Sequence, residues 1–207
     1  MKFTVFKLSS TNNYIKLKKQ KSNFFFSKPD DITVFHFNEI KNDLLHVVFR
    51  VSDEYLIGTK KGVNHLNLPF SQFVNSFLFK DKGFFLIESI DPKYVEEIVK
   101  YIKKNTGMKL DYYPFNKKNM GKMVSALNAH IKKVEYSNDV GDDFYKDFVK
   151  FEEFERINNE NNIEYIVLSV KDRFVSINSK GIISVDNSDE DFLINFTEVI
   201  VNALSNN

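Results

Sequence analysis

The sequence predicts an α+β protein, built mainly from an antiparallel sheet of hairpins with about four helices. Three observations predict this class. The 207-residue chain is 43% hydrophobic and 28% charged, a balance typical of a globular domain. Short β-rich runs separated by polar turns dominate its first half. Stretches with apolar residues three and four positions apart dominate its second half.

The predicted strands are runs of β-branched and aromatic residues bounded by turn residues. The run 13–19 also carries lysines, whose spacing would put them on one side of a strand. We expect strands at residues 2–8, 13–19, 32–38 and 109–113, and hairpins formed by 44–51 with 55–58 and by 77–79 with 84–87.

The clearest predicted helix spans about 92–104. Asp91 suits the N-cap, Pro92 suits the first helical position, and Gly107 can end the helix. Three further helices are expected at about 118–132, 142–158 and 189–204.

A weak internal similarity relates residues 47–56 to residues 166–175, and a Lys-Gly pair follows each segment at the same offset of 119. Either the common pattern of hairpins or a duplicated strand–strand–strand–helix unit explains it. We expect a basic, β-rich N-terminal part (1–115) and an acidic, helix-rich C-terminal part (116–207). One continuous domain is the alternative.

Composition excludes several classes of chemistry. The chain has no cysteine and four histidines, which excludes disulfides, thiol nucleophiles and Cys-based metal sites. No signal peptide or membrane-spanning run is recognisable, so we expect a cytoplasmic protein. The 26 lysines against 3 arginines suggest an A/T-rich prokaryotic or viral genome. Scarce arginine also disfavours a base-specific DNA reader.

Charge is divided along the chain. The net charge of +1 conceals +11 on residues 1–133 and −10 on residues 134–207. Either the two parts attract each other within the monomer, or at least one faces an outside partner of opposite sign.

The lysine-rich segments are the candidate nucleic-acid-binding sites. Strand lysines beside aromatic residues resemble a single-strand-binding groove, although lysines on edge strands also prevent aggregation. The second group lies on or beside the helix expected at 118–132, where an ordinary solvated face is the alternative. The candidate residues are Lys16, Lys18, Lys19, Lys21, Lys117, Lys118, Lys122, Lys132 and Lys133.

The acidic segment 134–161 is the candidate protein-binding site. Its aromatic stripe, Phe144, Phe148 and Phe151, is expected to face the core of the helix at 142–158. The candidate protein-binding residues are Asp142, Asp143, Asp147, Glu152, Glu153 and Glu155.

Catalysis has little support. Asp30 followed by Glu39-Ile40-Lys41 has the residue types of a metal-dependent nuclease, but the spacing is poor. The acidic run at 186–191 is explained by helix capping, and no glycine-rich phosphate loop exists. We therefore expect no catalytic residues, no metal and no cofactor.

The sequence thus favours a non-catalytic accessory protein of a prokaryotic or viral assembly. It would contact nucleic acid backbone through lysines and protein through its acidic part. A pure protein-interaction or oligomerisation module and a metal-dependent nuclease are the alternatives. The protein partner and the oligomeric state stay open.

Overall fold

The computed structural model describes residues 1–18, 31–58, 65–186 and 189–205. It confirms the α+β class, with four helices in these ranges, 47% strand and 30% helix. Its elements are β1 (Lys2–Leu8), a 3₁₀ turn (Tyr14–Leu17), β2 (Ile32–Lys41), β3 (Leu44–Gly58), β4 (His65–Phe79), β5 (Phe84–Glu88), α1 (Pro92–Thr106), β6 (Leu110–Tyr112), α2 (Lys117–Leu127), β7 (His130–Ser137), β8 (Asp143–Asp147), α3 (Phe151–Glu160), β9 (Asn162–Val170), β10 (Arg173–Asn178), β11 (Ile182–Val185) and α4 (Glu190–Ser205).

The chain forms two compact units. The N-terminal unit comprises residues 8–110, and the C-terminal unit comprises residues 1–7 together with 111–207. The sequence predicts a boundary at 115/116, whereas the division falls at 110/111 and the first seven residues join the C-terminal unit.

The N-terminal unit is an antiparallel sheet of order β2-β3-β4-β5 followed by α1. Strands β3 and β4 pair along their whole length, while β2 pairs with β3 only as far as Val51. Helix α1 begins as predicted, because the Asp91 carboxylate accepts the N–H of Lys93, and it ends at a left-handed Gly107. It packs on the sheet, with the Tyr101 ring 6.0 Å from the Phe49 ring.

The C-terminal unit has its strands in the order β1-β11-β10-β9-β7-β8, with β6 beside β1. Helix α2 packs against α3 and α4, and its buried residues include Met123. Leu168 of β9, Ile177 of β10 and Ile200 of α4 are fully buried and form part of this unit's core.

The structure corrects two strand predictions. Of the strand expected at 13–19, residues 13–18 are described and do not form a strand, because residues 14–17 form the 3₁₀ turn. Residues 44–58 form one strand and not a hairpin with a turn at Ser52-Asp53. The Ser52 N–H donates to the Asp31 carbonyl, and Asp53 pairs with Phe70 of β4, so pairing with distant strands outweighs the local turn preference.

Two helix predictions are also corrected. The helix expected at 118–132 ends at Leu127, because Asn128 takes a left-handed conformation (φ 44°), and Ile131 lies on β7. The helix expected at 142–158 is replaced by β8 and α3. Phe148 separates the two with a φ of 53°, which interrupts a helix.

The order strand–strand–strand–helix occurs twice, as β3-β4-β5-α1 and as β9-β10-β11-α4. The internal sequence similarity does not mark equivalent positions, however. Its offset of 119 aligns the single strand β3 with both strands of the β9–β10 hairpin. The Lys61-Gly62 pair lies outside the described residues.

Candidate interaction surfaces

The first lysine group lies on the 3₁₀ turn. Lys16 and Lys18 are exposed, while Leu17 between them is buried and anchors the turn. The turn packs against α1, and before it the Ser9 N–H donates to the Lys109 carbonyl at 3.2 Å. Lys19 and Lys21, which belong to the same predicted group, lie outside the described residues.

Because Ser9, just before the turn, is bonded to Lys109, just after α1, we infer that Lys16 and Lys18 lie toward the end of the N-terminal unit where α1 finishes. The last turn of α1 carries Lys103 and Lys104, and Lys109 follows it; all three are exposed. We call these five residues the lysine end. None of the ion pairs formed among the described residues involves one of them.

Other lysines of the N-terminal unit are held by carboxylates. Lys80 donates to Glu39 at 2.7 Å, and this hydrogen bond raises the pKa of Lys80. Lys82 lies 2.8 Å from Asp43. The difference from the lysine end is that each of these ammonium groups already has an acidic neighbour.

Sequence reasoning missed Lys103, Lys104 and Lys109 as members of a site. They were recognisable only as part of a lysine-rich stretch, and a helix C-terminus normally carries lysine because of its dipole. Their position beside Lys16 and Lys18 results from packing between segments about 90 residues apart in sequence.

The second lysine group is divided between helix α2 and strand β7. Lys117 and Lys118 are exposed in the first turn of α2, and Lys122 is half-buried in the same helix. Lys132 and Lys133 instead lie on β7, where the register shifts between Ile131 and Lys133. Lys133 donates to Glu135 at 2.6 Å, which raises the pKa of Lys133.

The predicted acidic residues occupy β8, the loop before it, and α3. Asp142 and Asp143 are exposed where β8 begins, and Asp147 lies opposite Lys133. Glu152, Glu153 and Glu155 lie on α3. Glu153 accepts a 2.6 Å hydrogen bond from Lys146, which lowers the pKa of Glu153.

The aromatic residues of this acidic segment are exposed, contrary to the expected core stripe. Phe144, Tyr145, Phe148 and Phe151 all lie at the surface, while Phe154 is buried. The reason is the break between β8 and α3, which removes the helical spacing that would have put them on one inward face. We call these four exposed residues together with the six predicted acids the acidic–aromatic surface.

Phe148 is the most exposed of these aromatic side chains, at 78%. Its left-handed backbone is uncommon for a bulky residue. The Phe148 N–H donates to the Lys132 carbonyl at 2.9 Å, and the Lys132 ammonium lies 5.5 Å from the centre of the Phe148 ring. The local backbone therefore directs this side chain to solvent.

The nuclease pattern is not assembled in the described residues. Glu39 is engaged by Lys80, and Asp30 lies outside those residues. No group of three or more histidines and acids suited to a metal ion occurs within them. In the acidic run before α4, Asp189 accepts the N–H of Phe192 at 2.9 Å, consistent with the predicted capping role.

Comparison with known proteins gives no guide to function: no protein-family model and no curated protein matches this chain. Among the helices in the described ranges, none is long and apolar enough to cross a membrane.

Proposed function

We propose that this chain is a non-catalytic accessory protein of a cytoplasmic prokaryotic or viral assembly. In this proposal, the lysine end contacts the phosphate backbone of nucleic acid, and the acidic–aromatic surface contacts a protein. The single observation that carries the proposal is that the 3₁₀ turn with Lys16 and Lys18 packs against α1, whose end carries the three other exposed lysines of the lysine end.

The chemistry of the lysine end suits phosphate better than bases. Lysine ammonium groups act as point charges on long flexible stems, and they neutralise phosphates without reading sequence. The N-terminal unit, residues 8–110, carries a net charge of +5, whereas the remaining residues carry −4. The positive end thus belongs to a unit that is itself positive, which favours a polyanionic ligand.

The acidic–aromatic surface suits a protein partner. Exposed aromatic rings supply much of the binding energy of protein interfaces when they enter a pocket. The Phe148 backbone directs the ring to solvent, so the ring can enter a pocket without a rearrangement of the backbone. The acids around it, including Asp147 and Glu152, favour a partner whose pocket has a basic rim.

Salt-titrated binding to fluorescent single- and double-stranded oligonucleotides tests the nucleic-acid half. Three to five phosphate contacts give a log–log salt slope of roughly −2 to −4. The variant Lys16→Gln/Lys18→Gln/Lys103→Gln/Lys104→Gln is expected to lose most of the affinity and most of the slope.

A matched variant removes four lysines elsewhere: Lys117→Gln/Lys118→Gln/Lys132→Gln/Lys133→Gln. It is expected to bind nearly as well as the wild type. Loss of binding in this variant alone would move the site to the C-terminal unit. Absence of binding by the wild type at low salt would exclude the nucleic-acid half.

The protein half is tested by replacing the Phe148 ring. Phe148→Asn removes the ring while keeping a residue that accepts left-handed backbone. Proteins recovered with the chain from its own cell are compared with those recovered by Phe148→Asn and by Phe174→Asn, which removes another exposed ring, on β10. A partner lost with the first variant and kept with the second supports the surface, and a partner kept by both contradicts it.

A further inference from the structure

Strands β3 and β4 continue beyond the strands that flank them. The Ser52 N–H donates to the Asp31 carbonyl, and β2 pairs with β3 no further than Val51. On the other side, β5 pairs with β4 only from Ser76 onward. Residues 53–58 and 65–71 therefore form a two-stranded ribbon, which has two open edges among the described residues.

The ribbon is apolar on its surface. Leu56 is 68% exposed, Tyr55 is 58% exposed and Ile57 is 45% exposed, and Leu66 and Leu68 on β4 are exposed as well. Strand alternation places Tyr55, Ile57, Leu66 and Leu68 on one face of the ribbon and Leu56 on the other. The four residues on one face expose roughly 400 Å², and an apolar patch of this size often marks an interaction site in a soluble protein.

The two edges of the ribbon differ in their capacity to pair. On the β4 edge, the Asn75 N–H points outward, where it donates to the Glu88 carboxylate. Every second residue before Asn75 also has its backbone N–H and carbonyl directed outward, and Pro69 is one of these positions. Proline has no N–H, so it blocks pairing along that edge. On the β3 edge, the outward-directed positions after Ser52 are 54, 56 and 58, where no proline occurs.

Beyond Glu54, whose carboxylate accepts a hydrogen bond from Asn67 of β4, the β3 edge also lacks the charges that protect the edges of the described sheets. The outer strand β2 carries Glu39 and Lys41, and the outer strand β8 carries Asp143, Lys146 and Asp147. Residues 55–58 carry no charge. A stretch of edge that has no charge or proline, and that no other strand pairs with among the described residues, is a template for pairing with another strand.

We propose that the β3 edge pairs antiparallel with the β3 edge of a second copy of this chain, around a twofold axis beside Leu56. In this register the two Leu56 residues exchange two backbone hydrogen bonds, and Gly58 N–H donates to the Glu54 carbonyl of the other copy. Tyr55 of each copy then lies opposite Ile57 of the other. Aromatic and β-branched side chains form favourable cross-strand pairs, so the edge is complementary to itself.

The exposed area sets the expected strength. Pairing of the β3 edges covers mainly Tyr55, Leu56 and Ile57, so two copies together would bury roughly 600 Å², which is below the range of stable specific interfaces. We therefore expect a weak, concentration-dependent dimer with a Kd of roughly 0.1 to 1 mM. Because the contact is apolar and uses backbone hydrogen bonds, it should persist at high salt, unlike an oligomer held together by opposite charges. This proposal is independent of the nucleic-acid and protein surfaces proposed above.

Sedimentation equilibrium of the full chain across concentration, at low and high salt, is the test. Leu56→Lys puts two like charges opposite each other at the axis and should raise the Kd at least about tenfold. Leu68→Lys, on β4 away from the paired edge, should change the Kd less than about threefold. Circular dichroism checks that both variants are folded, as expected for exposed positions.

A wild type that is monomeric at all concentrations would overturn the proposal and leave the edge for a strand of another protein. Equal loss of dimer in both variants would mean that the ribbons stack by their faces, which contradicts edge pairing. Protection of the Leu56 and Gly58 amides from hydrogen exchange should rise with protein concentration if the edge pairs. Unchanged protection in a sample that dimerises would place the contact elsewhere.

Discussion

The β3–β4 hairpin of the N-terminal unit and the β9–β10 hairpin of the C-terminal unit differ most in length. β3 and β4 have 15 residues each, whereas β9 has nine and β10 has six. The shorter hairpin turns at Lys171 and Asp172, which both have positive φ, as a two-residue type I′ turn requires. The longer hairpin continues past the strands that flank it and exposes apolar residues.

The comparison shows that the neighbouring strands and helices decide whether the apolar residues of a hairpin are buried in a core or exposed at the surface. In the shorter hairpin, Val175 and Ile177 of β10 are buried. In the longer one, the apolar residues up to Val51 are buried, and those from Tyr55 to Ile57 are exposed. Both hairpins consist of similar residue types, so the neighbouring elements decide whether each apolar side chain is buried or exposed.

The largest effect is expected at the turn that follows the shorter hairpin. Gly181 has a φ of +70°, and a Cβ there would lie 2.3 Å from the Tyr113 carbonyl oxygen. Gly181→Ala should destabilise the fold by about 3 kcal/mol or more, because backbone strain and a clash with backbone add together. Urea denaturation measures the free energy of unfolding.

Gly141→Ala is the matched control for Gly181→Ala. Gly141 also has positive φ (+92°), but a Cβ there meets nothing within 4 Å. Gly141→Ala should lower the free energy of unfolding by only about 1 to 2 kcal/mol, because it introduces backbone strain without a clash. Equal losses in the two variants would show that the close approach to Tyr113 has no energetic consequence.

The second effect compares isoleucines of the two hairpins directly. Ile177 on β10 is fully buried, while Ile57 on β3 is 45% exposed. Ile177→Ala should cost about 2 to 4 kcal/mol of unfolding free energy, since it leaves a cavity in a packed core. Ile57→Ala should cost less than about 0.5 kcal/mol. A large loss at Ile57, measured at concentrations where the chain is monomeric, would mean that the ribbon is covered within the monomer.

The smallest effect concerns the base of the ribbon, where α1 contacts β3. The Tyr94 hydroxyl donates to the Asp53 carboxylate at 2.8 Å. Burial, together with this hydrogen bond, raises the pKa of Tyr94 to about 12. The N–H of Glu54 and then the Tyr94 hydroxyl lower the pKa of Asp53.

The pH dependence follows from the direction of each shift. The stability from neutral Tyr94 is fully present below about pH 10, the pKa of an unfolded tyrosine, and is lost as the pH rises through about 12. The stability from ionised Asp53 is present above about pH 4 and is lost as the pH falls through its lowered pKa.

Tyr94→Phe should cost about 1 kcal/mol at pH 7 and should flatten the fall in stability between pH 10 and 12. Denaturation at pH 7 and pH 11 checks both. Tyr55→Phe removes a hydroxyl from an exposed tyrosine and should change neither value. If the two variants behave alike, the bond to Asp53 does not hold α1 at the base of the ribbon.

The sequence predicts only part of the candidate site. Lys16 and Lys18 were recognised as candidates, but on a strand and not on a 3₁₀ turn. Their neighbours Lys103 and Lys104 carry an ordinary helix-ending signal, and only packing between α1 and the turn brings the two pairs together. Phe148 was expected in a core, because helical spacing was counted across a residue that breaks the helix.

The sequence by itself determined the α+β class, the β4–β5 hairpin and helix α1 with its Asp91 cap and Gly107 end. These depend on signals a few residues apart, such as caps and turns, whose chemistry is local. Only the tertiary structure decided that β3 runs through Ser52-Asp53, that Phe148 points to solvent and that five lysines converge. Burial and convergence depend on which distant segments pack together, and no local pattern of residues specifies those partners.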